Sequence, residues 1–335
     1  MRNKEDIKVN YPTLYNMLGD SYINKLESEQ GALSERATIN PFFNILYDTS
    51  NNQESELIES CFKEALNSNS ISLEKLRRRF RNENNHVNIR NFINEIVALR
   101  PTFIHGKFLV ETGESVMPDF LANISESEVV FECVSVNEAA NSKKQRNKDI
   151  TATKNQHKTW KTDNPNGGVF TAIHEVFPYG NITPDRIIEK IRKKKSSRQV
   201  KDFHCYKVLV MSFRNMMFAK SSECLPHTSN NVDGIHSGLI YHAFYGKKED
   251  VIFQGNTFEG ERHKLSILKS DGKFSRSSDY NLCIVNFEAK PDEMHKQYVF
   301  LENLQNSMPE ELINSLIDIF SPYETHSIIK KYAEE

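Results

Sequence analysis

The stretch Val116-Met-Pro-Asp-Phe-Leu-Ala-Asn-Ile-Ser-Glu-Ser-Glu-Val-Val-Phe-Glu-Cys-Val-Ser-Val136 decides the fold. Two apolar runs flank a mostly polar pentad, Ile124 to Glu128, an order that reads as a β-hairpin with a short turn. Each run carries one acid, Asp119 in the first and Glu132 in the second. Their midpoint falls between Ser125 and Glu126, inside the turn, so antiparallel pairing sets the two carboxylates opposite each other. Directly opposed residues share a sheet face, with Cβ atoms about 5 Å apart. Two carboxylates on an apolar hairpin repel and resist burial unless a divalent cation lies between them. The pair is therefore a candidate metal site. A one-residue slip of the turn would send one acid to solvent and leave a plain hairpin, so both readings stand at this point.

Outward from the hairpin, the first hundred residues read as helical. Leu57, Ile58, Cys61, Phe62, Ala65 and Leu66 follow the three-to-four spacing of an amphipathic helix. Ser72 to Phe80 continues in that style, an Asn-rich break follows at Asn82 to Asn88, and Asn91 to Leu99 forms a helix that Pro101 stops. Phe92, Ile96 and Leu99 make its apolar face, with Glu95 beside it. Strand character begins at Lys107. Past the hairpin, Asn137 to Thr159 reads as helical and 163–168 as a loop. Thr183-Pro-Asp opens a second helix, with Thr as N-cap and Pro at its first position. That helix carries Ile187, Ile188 and Ile191 inward and Arg186, Lys190, Lys193 and Lys194 outward. Tyr206 to Phe213 is a buried strand. A looser region leads to Gly238–Gly246, Tyr280 to Phe287 is another strand, and 309–333 returns to helix. Alternating helices and strands of this kind build an α/β fold, a mixed central sheet flanked by helices, with an N-terminal helical region. The boundaries drawn on this reading are 1–88, a helical N-terminal region, 89–290, the α/β core, and 291–335, a C-terminal helical tail.

The composition sets the class. In 335 residues, 38% are hydrophobic and 26% charged, and no apolar run approaches the ~20 residues of a membrane span. The charged start leads into no signal-peptide core, so a cytoplasmic location is expected. Five scattered cysteines without a CxxC pair argue for reduced thiols and against zinc. The formal net charge of −2 hides an uneven distribution. From Lys143 to Lys161 there are seven Lys or Arg against one acid, Asp149; from Arg186 to Lys201 there are eight against Glu189. Such clusters are the footprint of a phosphate-backbone partner, although a charge run is more commonly a solvated helix face.

Helix with Glu95, strand, Pro118-Asp119-Phe120, strand with Glu132-Cys133-Val134, then Asp185-Arg186-Ile187 with Lys190, Lys194 and Gln199, then the strand Tyr206 to Val210, resembles the PD-(D/E)XK, or restriction-endonuclease-like, superfamily. Ala243-Phe-Tyr-Gly246 and Asp271-Gly-Lys-Phe274 resemble the same lineage, so the resemblance covers roughly 90–290. It implies a Mg²⁺- (or Mn²⁺-) dependent nuclease in which Asp119 and Glu132 hold the metal and Glu95 is a third or outer acid. One departure stands out: the lysine usually found two residues after the strand acid is Val134 here. The resemblance offers Lys143, Lys144, Lys190 and Lys194 as replacements, with Gln145 or Gln199 to orient a water. Lys143, Arg146, Arg186, Lys193, Lys194 and Gln199 would grip the nucleic acid. The expected partners are nucleic acid, DNA ahead of RNA, and either a second copy of the chain or a partner protein of a defence system against phage or foreign DNA, with no membrane. The alternative is a non-catalytic nucleic-acid-binding or complex-building module on the same fold, which Val134 favours.

Overall fold

A computed structural model describes residues 2–28, 40–49, 52–83, 85–109, 117–136, 188–189, 191–193, 200, 202–214, 220–230, 234–254, 264–276, 278–287, 297–323 and 325–326. The expected helix at Asn137 to Thr159, the loop at 163–168 and the Thr183 cap lie outside these residues. The chain forms two compact units: Met1–Ser135 with Arg198–Ser212 and Met308–Tyr323, and Val136–Ser197 with Phe213–Ser307 and Glu324–Glu335.

The first unit opens with α1 (Lys4–Asn10), α2 (Pro12–Leu18), α3 (Asp20–Ser28), α4 (Pro41–Tyr47), α5 (Asn52–Asn67), α6 (Leu73–Asn82) and α7 (His86–Leu99). Local signals start them. Asn3 and Asp6 form a capping box on α1, Asn40 caps α4 ahead of Pro41, Ser72 caps α6 and Asn85 caps α7. The break between α6 and α7 is narrower than expected, because α6 runs through Asn82. Helix α7 ends where Pro101 redirects the chain into a 3₁₀ turn, Arg100–His105. Short α2 has both ends satisfied from neighbouring helices. The Glu59 carboxylate of α5 accepts from the N–H groups of Thr13 (2.8 Å) and Leu14 (2.9 Å). At the other end Arg77 donates to the Asn16 carbonyl (2.8 Å) and Arg81 to the Leu18 carbonyl (3.2 Å). These two arginines of α6 therefore serve the fold.

The sheet of this unit orders β1 (Gly106–Phe108), β2 (Phe120–Ile124), β3 (Ser127–Ser135) and β4 (Tyr206–Ser212); β1, β2 and β3 pair antiparallel, whereas β3 and β4 run parallel. A parallel neighbour needs a long crossover, and residues 136–205 separate the two strands. Gly106 is required where β1 crosses β2, because a Cβ there would lie 2.2 Å from the Leu121 carbonyl oxygen. The odd-numbered face of β3 packs under α7, where Asn94 Nδ2 donates to Ser135 Oγ at 3.3 Å. A run of rings joins helices to sheet on that side: Phe42–Phe80 (4.9 Å), Phe80–Phe92 (5.4 Å), Phe92–Phe108 (6.1 Å), Phe108–Phe120 (5.0 Å) and Phe120–Phe131 (6.1 Å). A later helix, α9 (Glu310–Phe320), also belongs to this unit.

The second unit contains the hairpins β5 (His227–Asn230) with β6 (Gly234–Ser237) and β7 (Val251–Gln254) with β8 (Lys264–Ile267), and the buried strands β9 (Leu282–Asn286) and β10 (Tyr298–Glu302), paired antiparallel, with β11 (Thr325–His326) parallel to β10. The region Gly238–Gly246 contains a helix, α8 (Leu239–Tyr245). Gly272, Lys273 and Phe274 donate their N–H groups to the carbonyls of Gly246 (2.7 Å), Ala243 (2.9 Å) and Phe244 (2.8 Å), closing the C-terminus of α8. The two short motifs singled out in sequence thus bind each other through backbone. Of the stretch 291–335 expected to be helical, 298–302 is the strand β10. Its run Tyr-Val-Phe-Leu-Glu is buried at every position and too short to declare a period.

Candidate metal centre on the hairpin

The hairpin turn consists of Ser125 and Glu126 alone, at φ 48° and 63°, the two-residue turn whose twist matches the flanking strands. It pairs Ile124 with Ser127 and Phe120 with Phe131, so the register centres between Ser125 and Glu126 as the two acids require. The paired ladder ends at Phe120, and Asp119 stands one residue beyond it. Asp119 nonetheless holds both neighbours of Glu132. Its N–H donates to the Phe131 carbonyl (3.1 Å), and its carboxylate Oδ2 accepts the N–H of Cys133 (2.6 Å). Phe131 thus receives two consecutive residues of the facing strand, a bulge of the kind that re-aims a side chain. The Asp119 carboxylate leans onto the β3 backbone rather than standing straight across.

Glu132 is fully buried. Its side chain lies on the even-numbered face of β3, the side away from α7, because direction alternates along a strand. In register on that face are Val130 and Val134 of β3 and Leu209 and Met211 of β4, and Val130, Leu209 and Met211 are fully buried. A carboxylate among such neighbours is costly unless charge or hydrogen bonds compensate it. Val134, where the resemblance expects lysine, is half-buried on the same face.

Glu95 sits half-buried on α7 beside Asn94, in the layer over the other face of β3. Among the described residues no three His, Cys, Asp or Glu side chains are grouped to hold a metal ion, so Glu95 does not complete a cluster with Asp119 and Glu132. The two remaining acids are hard oxygen donors, the donor type that Mg²⁺ takes when substrate and water fill its other positions. On that donor set the residues fit the ion.

Of the expected basic residues, Lys193 is described: it is exposed and pairs with Glu189 at 2.7 Å, a contact that holds the Glu189 carboxyl below its ordinary value. Lys143, Lys144, Gln145, Arg146, Arg186, Lys190, Lys194 and Gln199 lie outside the described residues. Two cations escaped the sequence reading. Lys107 is in register with Leu121, and Lys207 with Val130, which puts both on the face of Glu132. A lone lysine at the start of the apolar run Tyr206 to Ser212 was the available signal. No helix among the described residues is long and apolar enough to cross a membrane. No protein-family model matches this chain, and neither a curated protein nor a solved structure does.

Proposed function

We propose that this chain is a metal-dependent nuclease of the restriction-endonuclease-like fold, hydrolysing phosphodiester bonds of DNA or RNA. The observation that carries the reading is the register of the hairpin, which brings Asp119 onto the two residues that flank Glu132. The order α7, β1, β2, β3, with β4 parallel beside β3, agrees with the order that the resemblance implies. Asp119 and Glu132 would hold Mg²⁺, which when bound supplies Lewis-acid polarisation of the scissile phosphate. The protein's own contribution is orientation and dryness. The Cys133 N–H fixes the Asp119 carboxylate, and the apolar wall around Glu132 excludes water and strengthens every charge interaction there. The setting we propose, defence against phage or foreign DNA, is a fold-level analogy.

A second reading, a binding module without catalysis, is favoured by Val134 on the acid face. The deciding experiment compares wild type with Glu132→Gln, which keeps the shape and removes the charge. Cleavage is measured with Mg²⁺ or Mn²⁺ on single- and double-stranded DNA and RNA, and binding is measured separately in EDTA. The nuclease should lose a thousandfold or more, on the order expected for loss of a catalytic metal, and keep its binding. Wild type that binds without cutting moves the protein to the second reading. A variant that cuts like wild type places the site elsewhere.

A further inference from the structure

We infer that Lys107 and Lys207 are the phosphate-contacting cations of this site and take over the part that Val134 leaves open; the inference rests on the nuclease reading above. Registers across four strands put the even face of β3 into rows. One row runs Lys107, Leu121, Val130, Lys207 from β1 to β4; the next contains Glu132 and Leu209, with Asp119 just beyond the end of β2. Each lysine therefore stands on the strand next to one acid and one row back, Lys107 beside Asp119 and Lys207 beside Glu132. With strands about 4.8 Å apart and two residues about 6.6 Å along, that diagonal is about 8 Å between Cα positions. A lysine's flexible four-carbon stem spans such a gap. Among the described strand residues of this face, these two are the cations. Two apolar side chains, half-buried Leu121 and buried Val130, lie between them, so the lysines flank an apolar strip with the acids at its margin.

The chemistry asks for this arrangement. In-line attack on a phosphodiester builds negative charge on the non-bridging oxygens, and a fixed cation beside them is worth most where water is excluded. Two lysines also bind a phosphodiester before any reaction, as point charges without sequence preference. The competing role for Lys207 is a surface pair with Glu128, its diagonal neighbour on the other side. Both act on the Cys205 thiol, which burial pushes up and Glu128 raises further while Lys207 opposes.

The test uses the full chain with Lys107→Met, Lys207→Met, the double variant, Lys207→Arg and Glu128→Gln. Binding of a short DNA duplex is titrated against salt in EDTA, and cleavage is measured with Mg²⁺. Each lysine removed should lower the salt slope by about one, the value of one phosphate contact. Lys207→Met should slow cleavage by roughly a hundredfold or more, comparable to loss of one transition-state donor, and Lys207→Arg should recover part of it. Thermal midpoints should stay near wild type. If wild type binds without cutting, the nuclease reading fails, and a lowered slope in both lysine variants still upholds the cation pair. Unchanged slopes in both overturn it. So does a Glu128→Gln variant that reproduces the loss seen in Lys207→Met, since Lys207 would then serve the surface pair. A wild type that neither cuts nor binds nucleic acid ends both proposals.

Discussion

Replacing Ser125-Glu126 by Asn-Gly tests the hairpin geometry on which the site depends. Both residues adopt positive φ, and neither is a residue type that does so readily. For an L-residue the left-handed region costs roughly 1–2 kcal/mol. Glycine at 126 removes that cost but loosens the unfolded chain by about 0.4–1 kcal/mol, leaving a gain of roughly 0.5–1 kcal/mol. Asparagine at 125 tolerates the conformation better than serine, worth a few tenths more by the same turn preferences. Against this, Ser125 Oγ donates to Ser315 Oγ at 2.7 Å on an exposed edge, and losing it costs about 0.5 kcal/mol. The net expectation is a stabilisation of roughly 0.3–0.8 kcal/mol, read from urea midpoints at unchanged slope. In the wild-type background Ser315→Ala, which removes this contact together with the Ser315 Oγ donation to the Glu311 carbonyl (2.8 Å), should destabilise slightly. A double variant destabilised by 1 kcal/mol or more would mean that the turn lies elsewhere. The acids would then have lost their common register, because a one-residue slip sends alternate side chains to opposite faces.

Phe80, 1% exposed, touches Phe42, Phe62 and Phe92; Phe80→Ala should cost about 3–5 kcal/mol in denaturant unfolding, and a loss under 1 kcal/mol would show that this ring cluster is not a core. Burial pushes the His242 imidazole below its ordinary value, with Asp250 3.9 Å away opposing the shift and His227 adding to it. The unfolded chain then takes up the proton first, so stability should fall as pH drops below about 6.5, by at most about 1.4 kcal/mol per pH unit. Urea midpoints at pH 7.5 and 5 should separate wild type from His242→Gln, and parallel pH profiles of the two proteins would contradict the assignment.

The hairpin was legible because its acids sit symmetrically about the turn and its apolar runs are long. The width of the turn was not: without Asn or Gly at Ser125-Glu126, any part of the mostly polar pentad Ile124 to Glu128 looked able to make it. Helices α1, α4, α6 and α7 carried their own caps, so local chemistry sufficed to start them, whereas α2 takes its partners from neighbouring helices. Helix α8 announced itself poorly, because its C-terminal carbonyls are satisfied by Gly272 to Phe274, nearly thirty positions on. Lys107 and Lys207 were hidden for the same reason. They are a hundred residues apart, and only the stacking of four strand registers brings them onto one face. The arginines of α6 show the converse: a basic run that invites a nucleic-acid reading is, at Arg77 and Arg81, closing the end of another helix.

The file of phenylalanines from Phe42 to Phe131 bears on the order in which the protein can be made. During synthesis the helices that present Phe42, Phe80 and Phe92 leave the ribosome before Phe108, Phe120 and Phe131 do, and units that emerge first fold first. The hairpin then condenses onto an aromatic wall already in place, and its own rings are covered as they appear. Shortening the chain from the front past Phe80 would remove most of that wall and leave Phe92 without the ring that covers it. The expected product is an aggregating hairpin rather than a smaller nuclease.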